Sequence, residues 1–173
     1  MVHIREAAAD DLDQIVRLAR ARRARHAAYQ PRLWRPAADA DSTQLRLLRH
    51  AVTDPEVLML VAVDHGPVRG FLLARLVQSP AVYDPGGPIC FVDDFHVEDD
   101  ASWATMGVQL LRAAVVRAAA RSATSVVVVA AVSDLSKRRS LSDAGLSVSS
   151  EWWSASIGRP LSPGEASPDA TPR

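Results

Sequence analysis

The segment Cys90-Phe-Val-Asp-Asp-Phe-His-Val-Glu-Asp-Asp-Ala-Ser-Trp-Ala-Thr-Met-Gly-Val-Gln-Leu-Leu111 predicts a strand, a polar turn and the start of a helix. The strand contains two adjacent carboxylates, Asp93 and Asp94, among residues that favour β structure. The helix has an apolar stripe at the spacing of a buried face, formed by Leu110, Leu111, Ala114, Val115 and Ala118. A strand, turn and helix in this order leave backbone N–H groups free at the helix start, where phosphates bind.

The composition is that of one globular domain. The chain has 173 residues, of which 48% are hydrophobic and 23% charged, and its formal net charge is zero. Zero net charge gives no general attraction to nucleic acids or membranes. The single cysteine, Cys90, excludes a disulfide framework and a cysteine-built zinc site, and its place in a strand predicts a small core residue. No signal segment and no long apolar run is evident, which predicts a cytoplasmic protein.

The first part of the chain predicts one strand and two helices. Residues 2–6 form a short strand, and Asp10 and Asp11 then open a helix whose dipole they complement. Asp41-Ser-Thr43 caps a second helix that runs to about residue 53.

A run of arginines marks the first helix and the segment after it. Between Val16 and Ala38 there are seven arginines and no acid: Arg17, Arg20, Arg22, Arg23, Arg25, Arg32 and Arg35. Such a run is either a binding site for an anionic group or a solvated helix face.

The rest of the chain predicts a sheet completed by two further helices. Apolar runs at 57–63 and 68–77 flank a turn and predict an antiparallel hairpin. After the strand at 89–97 and a helix at about 105–120, the valine-rich segment 125–132 predicts a strand covered on both faces. A helix at about 135–144 ends at Gly145, a C′ residue, and 146–157 is the last strand. Residues 158–173 predict a disordered tail, so the domain spans 1–157.

The predicted order is β-α-α-β-β-β-α-β-α-β, an α/β fold with a mixed sheet and helices on both faces. Together with the central segment, this order resembles the GNAT superfamily of acyl-CoA-dependent N-acyltransferases over residues 2–157. The local likeness is to the polyamine (diamine) acetyltransferases, in the strand Phe91–Val97 with its acid at Asp93, in the pair Leu110-Leu111, and in 141–146.

The resemblance implies where an acyl-CoA binds. In such folds the fourth and fifth strands splay apart at a bulge, the pantetheine arm pairs with the fourth strand, and the pyrophosphate sits on amides before the third helix. The family signature there is Arg/Gln-x-x-Gly-x-Gly/Ala, and this chain has Ser102-x-x-Thr105-x-Gly107. The resemblance assigns to the acetyl-CoA site Phe95, His96, Val97, Ser102, Trp103, Ala104, Thr105, Met106, Gly107, Val108, Asp134 and Lys137.

Acyl transfer to an amine needs a base for the ammonium proton and a donor for the leaving thiolate. Asp93 matches the family's base position, and Asp94 and His96 are alternatives. In a regular strand Asp93 and Asp94 point to opposite faces, so only one faces the cleft unless a bulge re-aims it. At the position of the family's tyrosine acid stands Leu141, which has no proton to give, and Tyr83 is a hypothetical substitute.

The acceptor site implied by the resemblance has aromatic walls. Its predicted residues are Trp34, Tyr83, Asp84, Trp152 and Trp153. The aromatic rings suit apolar or cation–π contacts, and Asp84 with the strand carboxylates suits a cationic amine. The arginine run indicates the opposite, an anionic partner. No metal site is predicted.

Three functions compete. The first is an N-acetyltransferase that uses acetyl-CoA to acetylate a primary amine of a small molecule or protein. The second is a catalytically weak or inactive protein of the same fold that binds acyl-CoA or a partner as a sensor or scaffold. The third, nucleic-acid binding through the arginine run, is disfavoured by the zero net charge. The tryptophan-bearing last strand is compatible with a homodimer.

Overall fold

The computed structural model describes residues 2–155 and residue 157, and its centre is a five-stranded sheet. The strands are β1 (His3–Glu6), β2 (Val57–Val63), β3 (Val68–Val77), β4 (Ile89–Val97) and β5 (Ser125–Val128). They lie in the order β1-β2-β3-β4-β5, antiparallel except for the parallel pair β4–β5. The predicted mixed sheet and its central hairpin, β2–β3, are therefore confirmed.

Four α-helices cover the sheet. They are α1 (Leu12–Tyr29), α2 (Ala40–Ala51), α3 (Met106–Ala119) and α4 (Leu135–Asp143), with short 3₁₀ helices at Ala9–Asp11 and Asp100–Ala104. Within the described ranges, no helix has both the length and the apolar character needed to cross a lipid bilayer.

The sheet is buried on both faces because two separate cores form. On one face Leu58 and Leu60 of β2 pack with Leu110 of α3. On the other face Met59 and Val61 pack with residues of α1 and α2. Alternate residues of β2 therefore serve different cores, which explains why its sequence is a continuous apolar run.

Cys90 lies in the core on the α3 side, as predicted. Its side chain is 1% exposed and carries a free thiol. Burial raises the pKa of the thiol because the thiolate would be poorly solvated there. The residue therefore packs as a small apolar group.

The strand predicted at 146–157 is wrong over the described residues. Residues 146–155 lie in no helix or strand, and Trp152 and Trp153 are 79% and 90% exposed. Their rings contact too little apolar surface of this chain to stabilise strand pairing. The predicted tail at 158–173 lies outside the described residues.

The fifth strand also differs from its prediction. It ends at Val128 rather than near residue 132, and its valines are half-buried instead of covered on both faces. After Val128 the chain leaves the sheet and leads to α4, which starts at Leu135. Only β4 pairs with β5 among the described residues.

Gly145 ends α4 as predicted. Its φ is +91°, and the N–H of Leu146 donates to the carbonyl of Leu141 at 3.0 Å. The N–H of Gly145 itself donates to the carbonyl of Ser142 at 2.9 Å. The last carbonyls of α4 are thus satisfied by a left-handed cap that favours glycine.

We expect Gly145→Ala to lower the free energy of unfolding by about 1–2 kcal/mol, because a Cβ is strained at a positive φ. Urea unfolding followed by circular dichroism measures the change. Ser147→Ala, at an exposed position beyond the cap, is the control and should unfold like the wild type. Equal stability of Gly145→Ala and wild type would show that the cap relaxes at no cost.

Candidate active site

The fourth and fifth strands pair only over the first part of β4. Their register runs from Ile89 opposite Ser125 to Val92 opposite Val128. The N–H of Val129 still donates to the carbonyl of Val92 at 3.0 Å. Beyond this point β4 continues to residue 97 without β5, so the predicted splay is present. We call the space between residues 93–97 and the chain after Val128 the β4–β5 gap.

A β-bulge lies at the start of this gap. Leu73 of β3 pairs with Asp94 and Ala74 pairs with Val92, which leaves Asp93 as an extra residue. Val92 and Phe95 consequently both join the core on the α3 side, although a regular strand would point them to opposite faces. The bulge therefore turns Asp94 toward α1 and α2.

Asp93 is the exposed carboxylate of the pair. Its pKa is raised above the ordinary aspartate value, first by desolvation and second by the negative charge of Asp94. Arg75 and Arg22 oppose this rise. A carboxylate with such a pKa has a greater proton affinity than a free aspartate, as a base requires.

Asp94 is buried and already has partners. It is 7% exposed, and its Oδ2 accepts a hydrogen bond from Nε2 of Gln44 at 2.9 Å. Nε of Arg22 lies 2.9 Å from Oδ1 as an ion pair, without the alignment of a hydrogen bond. These contacts fix α1 and α2 to β4, and they make Asp94 a structural residue instead of a free base. Removing one partner of a buried pair costs about 3–5 kcal/mol.

The arginine run is mostly paired with acids. Within the described part of the chain, five of its arginines form ion pairs: Arg17 with Glu98, Arg20 and Arg23 with Asp41, Arg22 with Asp94, and Arg25 with Asp100. Arg23 also donates to Oε1 of Gln44. The run is therefore neither a purely solvated face nor wholly an anion site, because acids from other elements neutralise much of it.

His96 is a buried, uncharged residue at neutral pH. It is 3% exposed, and its pKa is lowered to about 3, first by burial and then by the nearby charges of Arg25 and Arg22. A group with this pKa is a weak base. Of the three predicted bases, only Asp93 combines exposure with a raised proton affinity.

The side chain of Trp103, in the loop predicted to hold phosphate, is buried in the core on the α3 side. Its indole is 1% exposed and packs edge-on against Phe95, with ring centroids 4.8 Å apart. A Cβ on Gly107 would lie 2.7 Å from Cε3 of Trp103, so this glycine leaves room for the indole. Nε1 of Trp103 is buried with no hydrogen-bond partner among the described residues.

Lys137 of α4 bridges the β4–β5 gap. Its Nζ donates to the carbonyl of Val129 at 2.8 Å and to that of Phe95 at 3.3 Å. It also lies 5.2 Å from the ring centroid of Phe95 and 5.5 Å from that of Trp103. Burial, followed by the charge of Arg22, lowers its pKa to about 8. The ammonium therefore joins the two diverging segments through their carbonyls.

Solved structures share this architecture. A protein from Bacillus halodurans, crystallised as a tetramutant, matches with a TM-score of 0.78 at 16% identity, over 90% of this chain and 99% of that one. A predicted acetyltransferase with acetyl-CoA from Clostridium acetobutylicum gives 0.69 at 17%, over 91% and 97%. An aminoglycoside 6′-N-acetyltransferase from Acinetobacter haemolyticus gives 0.66 at 16%, over 90% and 99%. No family model and no curated protein matches the sequence.

The chain has the GNAT fold. The predicted fold class is thereby confirmed, at identities that establish the fold alone. The GNAT features are the parallel pair β4–β5, its splay beyond Val92, and α3 packed behind the bulged strand.

The remaining residues predicted for the GNAT site are not gathered in one place. Asp134 is buried at the N-terminus of α4, and Leu141 packs against the core on the α3 side. Tyr83 is 71% exposed, and Asp84 accepts a hydrogen bond from the N–H of Gly86 at 2.9 Å within its own loop. Neither lines the cavity beside Trp34, between α1 and the segment that follows it.

Sequence reasoning missed Gln44 and the burial of Lys137. Each starts an i, i+4, i+7 stripe of its helix: Gln44 precedes Leu48 and Ala51, and Lys137 precedes Leu141 and Ala144. The sequence signal for their burial was therefore a polar residue at the start of an apolar stripe. It places the side chain on the inward face without identifying its partner.

We expect the free energy of unfolding to fall as the pH decreases from about 6.5 toward 4. His26 and His96 have pKa values of about 4 and about 3 in the fold, so the unfolded chain binds more protons in this window. Between pH 6.5 and 5 the loss should be about 1–2 kcal/mol for each histidine.

Urea unfolding at the two pH values measures this loss. The double variant His26→Gln, His96→Gln should lose most of the dependence, while His50→Gln, at an exposed position, should keep it. A wild-type stability that is constant between these pH values would contradict the buried, neutral state of both rings.

Proposed function

We propose that the protein is an acyl-CoA-dependent N-acyltransferase in which Asp93 is the general base. The observation that carries the proposal is the position of Asp93, exposed on the bulge where β4 leaves β5. The GNAT fold supports the choice of reaction, since one similar structure was solved with acetyl-CoA. Another, AAC(6′)-Iy, was solved with a bisubstrate analogue that contains CoA.

The proposed reaction is transfer of the acyl group from sulfur to nitrogen. Asp93 takes a proton from the acceptor ammonium, and the neutral amine then attacks the thioester carbonyl carbon. A C–N bond forms, the C–S bond breaks, and the electron pair leaves with sulfur as thiolate. A backbone N–H of β4 near the bulge polarises the thioester carbonyl. Leu141 gives the thiolate no proton, so solvent protonates it, which is tolerable for a thiol leaving group.

The β4 edge fits a pantetheine arm only in part. Among the described residues, no strand pairs with 95–97 on the β5 side, which leaves main-chain groups for the arm to pair with. However, the carbonyl of Phe95 already accepts from Lys137, and the ring of Phe95 packs against the indole of Trp103. Lys137 therefore competes with a pantetheine arm for this carbonyl.

We expect Asp93→Asn to lower acyl transfer by roughly 10²-fold, because the amide cannot take the ammonium proton. Release of CoA thiol from acetyl-CoA, measured over a panel of primary amines, gives the rate. Asp13→Asn, at an exposed position on α1, is the charge-matched control. In the wild type the rate should fall on the acid side at a higher pH than for an ordinary aspartate, because the pKa of Asp93 is raised. Unchanged turnover of Asp93→Asn would exclude it as the base.

A second candidate is a protein that binds acyl-CoA with little or no turnover. It is favoured by the Lys137 bridge, the buried Trp103 and the absence of a proton donor at Leu141. Calorimetric titration with acetyl-CoA followed by the thiol-release assay separates the two functions. Binding without release over the whole panel would favour this second candidate.

We expect Lys137→Ala to tighten acetyl-CoA binding by roughly tenfold, because one to two carbonyl contacts no longer have to be broken. Isothermal titration calorimetry measures the dissociation constant. Arg139→Ala, at an exposed position on the same helix, removes the same charge and is the control. An unchanged or weaker affinity of Lys137→Ala, with the control behaving like wild type, would show that the bridge does not limit binding.

A further inference from the structure

A cavity lies between α1 and the segment that follows it. Its volume is about 260 Å³. It is lined by Arg22, Arg23, His26, Leu33, Trp34, Arg35, Pro36 and Ala37. We call it the arginine cavity.

The arginine cavity is connected to the bulge through Arg22. This residue lines the cavity, and its Nε lies 2.9 Å from Oδ1 of Asp94, the neighbour of Asp93 in β4. Arg22 also acts on the pKa of Asp93 itself, which it lowers. The cavity is therefore joined by one side chain to the residue that neighbours the proposed base.

The lining has an excess of positive charge. Arg22 is neutralised by Asp94, but Arg23 shares the single carboxylate of Asp41 with Arg20. The group formed by Arg20, Arg23 and Asp41 therefore keeps one uncompensated positive charge. Arg35 is exposed and forms no ion pair within residues 2–155. None of the lining residues is an acid.

The lining also includes apolar side chains. Trp34 is 38% exposed and Leu33 49%, so both present apolar surface at the opening. The ring of His26 lies 5.5 Å from that of Trp34 between centroids. Burial and the charge of Arg22 lower the pKa of His26 to about 4, so this ring adds no charge at neutral pH.

We infer that the arginine cavity is the acceptor pocket and that it selects amines carrying both an anionic group and an apolar or aromatic portion. Arg35 pairs with the anion, since it alone among the lining arginines has no carboxylate partner in the described chain. Trp34 and Leu33 contact the apolar portion. The inference rests on the proposed function for the amine, which must reach Asp93.

This acceptor class differs from the one that the local sequence likeness implies. A polyamine carries several positive charges and would meet uncompensated guanidinium groups at the cavity. Repulsion of this kind disfavours a cationic partner even where single contacts are apolar. The arginine cavity therefore favours the anionic partner that the arginine run indicated.

Calorimetric titration without acyl-CoA tests the pocket by itself. The probes are phenylalanine and phenethylamine, which differ only in the carboxylate, and spermidine as the polyamine. Phenylalanine should bind at least about tenfold more tightly than phenethylamine, and spermidine should bind most weakly. Equal affinities of the first two, tighter binding of spermidine, or no binding of phenylalanine would overturn the inference.

Two variants locate the effect. Arg35→Gln should remove most of the preference for phenylalanine over phenethylamine, and Trp34→Ala should weaken both probes to a similar degree. Arg32→Gln removes a neighbouring exposed arginine that does not line the cavity, and it should keep the preference. A preference that survives Arg35→Gln, or that is lost in Arg32→Gln, contradicts the assignment of Arg35.

The thiol-release assay separates this inference from the proposed function. Selective binding of phenylalanine without release of CoA over the amine panel would support the pocket assignment and contradict the proposed transferase function. Release with spermidine but not with amines that carry a carboxylate keeps the transferase and removes the acceptor class.

Discussion

One unpaired residue in β4 determines the geometry of the site. Asp93 has no partner across β3, so the side chains on either side of it lose their normal alternation. Asp94 consequently turns into the contacts of Arg22 and Gln44, while Asp93 stays exposed where β5 departs. Two neighbouring carboxylates thereby acquire different surroundings, since one fixes helices to the sheet and the other stays exposed.

Buried charges of opposite sign hold the two sides of the bulged strand. Toward α1 and α2, a buried carboxylate is compensated by a guanidinium and an amide. Toward α4, the Lys137 ammonium is compensated by backbone carbonyls and two aromatic rings. Burying a charge is costly unless it is paired, so each of these two charged groups stabilises the strand only while its own partners are present.

Much of the fold could be predicted from sequence, because strand and helix periodicities report directly on burial. The stripe at Leu110 and Leu111 and the apolar runs of β2 and β3 each formed the expected element. The prediction of a last strand failed because Trp152 and Trp153 fit a strand pattern but stay exposed instead of packing against the sheet. The site was harder to predict, because the acids that pair with its arginines come from distant parts of the chain. Glu98 and Asp100, for example, pair with arginines of α1. The face of the sheet to which Asp94 points and the bridge made by Lys137 could not be predicted from local sequence pattern, because both depend on the register of the strands.

An acyl-CoA site in the β4–β5 gap is tested most directly by hydrogen–deuterium exchange of the whole chain, with and without saturating acetyl-CoA. We expect slower exchange at residues 95–97 of β4 and at 102–108 before and within α3, because their amides would pair with the pantetheine arm and the pyrophosphate. Exchange in β1 and β2 should stay unchanged. Unaltered exchange in both 95–97 and 102–108 at saturating acetyl-CoA would contradict a binding site between the diverging strands.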